Sequence, residues 1–186
     1  MRWSIDFPIP ASPFPISHSS KVVSLGSCFA QTIGKKMQAA KFEVLTNPFG
    51  TLFHPLNLAE LLQLAIPAAP MYPAGIVERE GVFVHYKAHS DVKGATVAEL
   101  EENYTQQLLL LHHSLKKATH LVLTLGTAWL YTHRELGKVA NCHKQPAALF
   151  EKKLSSLEEL ETGLRPVLRM LTQQHPNLQI ILTLSP

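Results

Sequence analysis

The sequence is poor in charge, in cysteine and in long apolar runs. Only 17% of its 186 residues are charged, against 46% hydrophobic, which excludes a disordered chain or a charged tail and leaves enough apolar mass for one medium-sized core. Two cysteines, Cys28 and Cys142, are too few for a disulfide scaffold, so both thiols are read as free and the compartment as reducing and cytoplasmic. No stretch reaches the roughly 18 consecutive apolar residues of a membrane span. Pro8, Pro10, Pro13 and Pro15 interrupt the N-terminal segment every few residues, which excludes a signal-peptide core. Glycine is missing where a nucleotide would need it: Gly26 stands alone, followed by neither G-x-G-x-x-G nor G-K-[ST]. The net charge of +3 comes from scattered Lys and Arg without a basic stripe, so neither nucleic acid nor membrane is an expected partner.

Histidine is plentiful, with ten residues, but the spacing does not make a metal site. His112 and His113 are neighbours on a predicted helix and diverge, while His85 and His89 straddle the end of a predicted strand, where a four-residue spacing has no helical meaning. No metal and no cofactor are expected.

Residues 1–20 read as an extended arm, its prolines forbidding helix, with Trp3, Phe7 and Phe14 packing onto the body. Residues 21–25 form a short apolar strand that halts at Gly26. A helix follows with Ala30, Ile33, Met37 and Ala40 on one face. Residues 42–46 give a second strand ended by Asn47 and Pro48, and Asn57 with Glu60 three residues on starts a second helix. A β-hairpin is expected from residues 76–77 and 82–86 around a polar turn. Thr96 and Glu99 have the capping-box spacing ahead of the stripe Leu100, Tyr104, Leu108, Leu111 and Leu115, which ends at Lys116 and Lys117. Residues 120–125 form the next strand. Ser156 and Glu159 open a last helix that Pro166 kinks or delays. Residues 178–184, rich in Ile and Leu, read as a strand covered on both faces.

Short apolar strands alternating with amphipathic helices mean an α/β fold, a parallel sheet with helices on both sides. Such sheets bind ligands at the carboxyl ends of their strands. Three unusual segments fall there: Gly26-Ser27-Cys28, Asn47-Pro48-Phe49-Gly50 and Gly126-Thr127-Ala128. Two readings stand for Cys28 at the start of a helix. It is a thiol activated by backbone N–H groups and the helix dipole, or a small apolar residue packing helix on strand. Ser27 is a helix N-cap unless a base lies within reach. Asn141-Cys142-His143-Lys144 lies in an irregular polar stretch, where alternate side chains diverge and at most two of the four can address one site. His143 turned toward Cys28 would make a thiolate–imidazolium pair suited to acyl transfer.

The motifs Leu25-Gly26-Ser27-Cys28-Phe29-Ala30, Asn47-Pro48-Phe49-Gly50, Leu125-Gly126-Thr127-Ala128-Trp129 and Asn141-Cys142-His143-Lys144, in that order, resemble the mostly bacterial GSCFA-domain family over residues 21–186. The resemblance implies a kinship with the SGNH, or GDSL-type, hydrolases and hence a flavodoxin-like three-layer α/β/α sandwich with a small β-hairpin insertion. It implies Cys28 in the nucleophile's place, with Ser27 the alternative, and Gly50 as oxyanion glycine. His143 is the reserve base. Asn47, Gly126, Thr127, Asn141 and Lys144 would then contact the substrate, a small-molecule or carbohydrate-linked acyl ester. Ala128 stands where those hydrolases carry an oxyanion asparagine, so Asn47 or Asn141 would substitute. The Asp-x-x-His segment that such hydrolases carry near their C-terminus has no counterpart in this sequence. The resemblance therefore implies a domain without its C-terminal part, and activity reduced by several orders of magnitude, about 10⁴- to 10⁶-fold in the serine-protease template. A binding module on the same scaffold is the competing expectation.

Overall fold

The computed structural model describes residues 10–70 and 74–184; Trp3 and Phe7 lie outside them. Four strands, β1 (Lys21–Gly26), β2 (Glu43–Thr46), β6 (His120–Leu125) and β10 (Gln179–Leu184), form one parallel sheet in the order β10-β6-β1-β2. The winding reverses between β1 and β6, the position at which sheets of this kind bind their ligands, at the carboxyl ends of the strands. Along β1 the side chains alternate. Val23 and Leu25 join Leu121 and Leu123 in the main core with the helices α2 (Pro55–Ala65), α3 (Val97–Lys117) and α4 (Leu157–Gln174). The opposite face is covered by α1 (Cys28–Ala39), whose Gly34 lies against Thr46 of β2. Helices therefore cover both faces of a mixed α/β domain.

The α3 stripe is buried as the periodicity predicts, at Leu100, Tyr104, Leu108, Leu111 and Leu115, and Thr96 Oγ1 accepts the Glu99 N–H at its start. Ser156 and Glu159 form a reciprocal capping box on α4. Pro166 neither delays nor divides that helix, because it and Thr162, whose carbonyl loses the proline's N–H, both face solvent.

Four expectations need correction. In α1 the buried face is Ala30 and Gly34, while Ile33 and Ala40 are exposed, since only the smallest residues fit so close to β2. The cap of α2 is His54, whose Nδ1 accepts the Leu56 N–H at 3.1 Å, with Pro55 at the first helical position; Asn57 lies inside the helix and donates to the Val139 carbonyl. The β10 strand is not covered on both faces: it is the sheet edge, with Leu182 and Leu184 exposed. Phe14 exposes its ring, and its attachment is through the carbonyl, which accepts from His120 Nε2 at 3.3 Å.

The hairpin forms as β3 (Ile76–Arg79) and β4 (Val82–His85), with Glu80 and Gly81 both at positive φ in a two-residue turn. A short β5 (Lys93–Gly94) adds a third strand. The periodicity shows no sign of a further antiparallel sheet, β8-β7-β9, from β7 (Trp129–His133), β8 (Gly137–Val139) and β9 (Phe150–Leu154). Tyr86, Val139 and Phe150 bring these two small sheets together in a second apolar cluster.

Candidate functional site

The carboxyl edge of the parallel sheet is built around the turn after β1. Gly26 has φ +136°, and a Cβ there would lie 2.1 Å from the Thr124 carbonyl oxygen, so only glycine fits. Its N–H donates to Asn47 Oδ1 at 2.8 Å and its carbonyl accepts from Leu52 N at 3.0 Å. The Ser27 N–H donates to the Thr124 carbonyl at 3.1 Å. One dipeptide thereby ties the ends of β1, β2 and β6 together. Asn47 returns its own N–H to Ser24 O at 2.9 Å, holds φ +42°, and accepts the Gly50 N–H on its carbonyl at 2.8 Å. Asn47 is buried, and its Nδ2 has no hydrogen-bond partner among the described residues.

Ser27 and Cys28 separate cleanly. Ser27 is 1% exposed and caps α1, accepting the Phe29 N–H on Oγ at 3.3 Å. Cys28 occupies the first helical position with its side chain at the surface. No hydrogen bond joins the Cys28 thiol to a described residue. Gly126 backs onto this turn: a Cβ there would lie 2.9 Å from Ser27 Cβ, and the Gly126 and Thr127 N–H groups both donate to the Phe53 carbonyl, at 2.9 and 3.2 Å. Thr127 Oγ1 accepts the Trp129 N–H. The Gly50 amide, the expected oxyanion donor, donates to Asn47 and closes the 47–50 turn.

The fourth motif lies on the other flank of that turn. Gly50 has φ +70° and a Cβ there would lie 2.3 Å from His89 Cβ, while the His89 N–H donates to the Phe49 carbonyl at 2.9 Å. Next to His89 stands Ser90, whose hydroxyl is 3.2 Å from His143 Nδ1. The ring of His143 is 1% exposed, and its Nε2 lies 2.9 Å from the His85 carbonyl oxygen. A carbonyl only accepts, so Nε2 carries the proton, and Nδ1 of the neutral ring receives the Ser90 O–H. Burial, joined by the nearby His89 and Arg79, holds the His143 pKa below the ordinary histidine value against the raising effect of the His85 and Ala88 carbonyls. Asn141 Oδ1 accepts the His143 N–H at 2.9 Å, and His143 and Lys144 both adopt positive φ. Lys144 is exposed. His143 therefore meets Ser90, and no hydrogen bond connects it to Cys28.

Nothing in the sequence pattern singles out His54, buried behind the β6 loop. Its Nδ1 lone pair is occupied by the α2 cap, so Nε2 carries the proton toward Ala128 O at 3.3 Å and Ser155 Oγ at 3.2 Å. With no free lone pair it cannot take a proton from Ser155. Burial lowers its pKa, offset in part by the Ala128 carbonyl. Among the described residues no group of three or more His, Cys, Asp or Glu is arranged to hold a metal ion, and no helix is long and apolar enough to cross a membrane.

A parallel α/β sheet with a glycine-forced turn after its first strand, and a surface thiol opening the next helix, defines a Gly-Ser-Cys domain of the α/β class. The GSCFA family model matches residues 21–186, and the chain belongs to the GSCFA family. No curated protein and no solved structure matches the chain.

Proposed function

We propose that the domain is an acyl-ester hydrolase or acyl-transfer fold of SGNH type, with Cys28 as the nucleophile and a small-molecule or carbohydrate-linked acyl ester as substrate. The strand order β10-β6-β1-β2 is the 2-1-3-4 winding of flavodoxin-like sheets, with the proposed nucleophile beside the point where the winding reverses. The observation that carries the reading is the contrast in the Gly26-Ser27-Cys28 turn: the hydroxyl is buried as a cap and the thiol is exposed at the helix N-terminus. The amides of Cys28 and Ala30, in the first turn of α1, carry no hydrogen bond to a described residue and would receive a developing oxyanion.

A second reading, a ligand-binding module without turnover, is favoured by the Gly50 amide being engaged by Asn47 and by Ala128 standing in place of an amide donor. One experiment separates them. Mixed with excess p-nitrophenyl acetate, the hydrolase reading gives a burst approaching one p-nitrophenolate per chain. Cys28→Ala lowers the burst by that one p-nitrophenolate per chain, and Ser27→Ala leaves it in place. A burst unchanged by Cys28→Ala removes Cys28 as nucleophile, and a Cys28 that resists iodoacetamide until the chain unfolds favours the binding module.

A further inference from the structure

Away from the Cys28 turn, the 47–50 turn supports a second pair of groups whose roles the hydrogen bonds fix. We propose that Ser90 and His143 form a serine–imidazole dyad that accepts an acyl group from a short-chain carboxylic ester on Ser90 Oγ, a site independent of Cys28. Three features of the arrangement match what an activated hydroxyl requires. The base is oriented, since Nε2–H donates to the His85 carbonyl at 2.9 Å and leaves the Nδ1 lone pair facing Ser90 Oγ at 3.2 Å. The base is held in place, because Asn141 Oδ1 fixes the His143 N–H and the ring lies against Tyr86 in a nearly sealed setting. The nucleophile is placed on a tight turn, closed by Val92 N to His89 O at 3.0 Å. Within that turn the Ser90 amide N–H carries no hydrogen bond to a described residue, so it is available as an oxyanion donor.

The chemistry balances with ester and water alone. Ser90 Oγ bonds to the acyl carbon as its proton passes to His143 Nδ1. The imidazolium, faced by the carbonyls of His85 and Ala88, gives that proton to the departing alkoxide, which leaves as the alcohol. Water then adds to the acyl-serine with its proton moving to Nδ1, and the proton returns to Ser90 Oγ as the carboxylic acid leaves. The third member of this arrangement is a main-chain carbonyl in the place a carboxylate holds in a Ser-His-Asp triad. Burial first, then the nearby His89 and Arg79, disfavours the charged ring, so that its resting form is the neutral, proton-accepting one.

The test uses the 186-residue chain carrying Cys28→Ala, so that the thiol is silent, with diethyl p-nitrophenyl phosphate as a hydroxyl-directed trap. Peptide mapping after reaction at pH 7.5 is expected to place a single diethylphosphoryl group on the peptide containing Ser90. Ser90→Ala abolishes it, and His143→Gln, whose amide can still donate to the His85 carbonyl, slows it about 10²-fold or more. Modification spread over several serines, no modification of Ser90, or a rate at Ser90 equal in the native and urea-unfolded chain would each overturn the dyad. The last comparison needs no variant at His143, so it decides the matter even where His143→Gln does not fold.

Discussion

Three glycines in this chain permit a physical separation of the two reasons a glycine is irreplaceable. Gly81 has φ +79° with nothing within 4 Å of the point a Cβ would occupy, so Gly81→Ala reports the conformational cost alone, about 1 kcal/mol. Gly126 is outside the positive-φ region, but a Cβ there meets Ser27 Cβ at 2.9 Å and Phe53 Cδ1 at 3.0 Å. The exposed Phe53 ring can yield, so Gly126→Ala is expected to cost about 1–2 kcal/mol, at the low end of overpacking. Gly26 combines both penalties: φ +136° with the Thr124 carbonyl oxygen at 2.1 Å. That oxygen belongs to a central strand and accepts the Ser27 N–H, so it has nowhere to move. Strain of about 1–3 kcal/mol and overpacking of about 1–3 kcal/mol give roughly 2–6 kcal/mol for Gly26→Ala, a large part of the roughly 5–15 kcal/mol that holds a domain together. Urea denaturation of the three variants, read as midpoints at constant slope, ranks them Gly26 far above Gly126 and Gly81. A Gly26→Ala variant no less stable than Gly81→Ala would refute the placement of the turn against Thr124, and with it the geometry that presents Cys28.

Further outcomes follow from other parts of the fold. Gly34→Ala, which raises helix propensity, is nevertheless expected to destabilise by about 1–3 kcal/mol, because its Cβ would lie 2.1 Å from Thr46 Oγ1; adding Thr46→Ala, which removes that oxygen and the methyl but keeps a Cβ at 2.9 Å, restores part of the loss, and a single variant with a raised melting temperature contradicts the packing. His54 and His143 are both held below the ordinary histidine pKa by burial, so the folded state binds fewer protons than the unfolded one. Their contribution is complete above about pH 6.5 and is lost as the pH falls below that value toward the lowered pKa values; the urea midpoint should therefore drop between pH 7.5 and 5.5, and less so in His54→Asn, whose amide oxygen can still cap α2. A midpoint constant over that range contradicts the assignment. Ser156→Ala removes one half of the α4 capping box and should cost about 1 kcal/mol in the same denaturation assay, whereas Ser19→Ala, on the exposed arm, should cost nothing measurable.

The parts of the fold that could be read from the sequence are those where one periodicity had one cause. In α3 every stripe residue faces the same core, so spacing and burial coincide. In α2 two causes compete: Asn57 and Glu60 have the letters of a capping box, but Asn57 reaches across to Val139 and the cap is an imidazole, which propensity rules do not count as a cap. The apolar run of β10 records the chemistry of its side chains but not the number of its neighbours, and an edge strand exposing Leu182 and Leu184 has the same letters as a central one. In β9, Phe150 is the one buried residue of Phe-Glu-Lys-Lys-Leu, so there was no alternation to detect. At the site, Gly26, Asn47 and Gly50 could be found because positive φ restricts which residue is allowed, and Gly126 because Ser27 Cβ leaves little room for a side chain there. The partner of His143 could not, since Ser90 lies 53 residues away and only the packing of the 47–50 turn on His89 brings the two together.

Where the backbone amides of the carboxyl edge go decides which atoms remain for chemistry. Gly26, Ser27, Asn47, Gly50, Gly126 and Thr127 would each be a natural donor to a bound anion, yet all six N–H groups are engaged within the edge itself, by Asn47 Oδ1, Thr124, Ser24, Asn47 and, twice, Phe53. Their hydrogen bonds hold the turns and hold no ligand. Among the amides left without a described partner are those of Cys28 and Ala30 at the start of α1 and that of Ser90 in the 89–92 turn; Cys28 and Ser90 themselves carry nucleophilic side chains, and Ala30 lies two residues beyond Cys28. Cys28 and Ser90 each join a nucleophilic side chain to an amide without a described partner, and two substitutions distinguish them: the p-nitrophenolate release lost in Cys28→Ala passes through the thiol, and the part of the remainder lost on adding Ser90→Ala passes through Ser90.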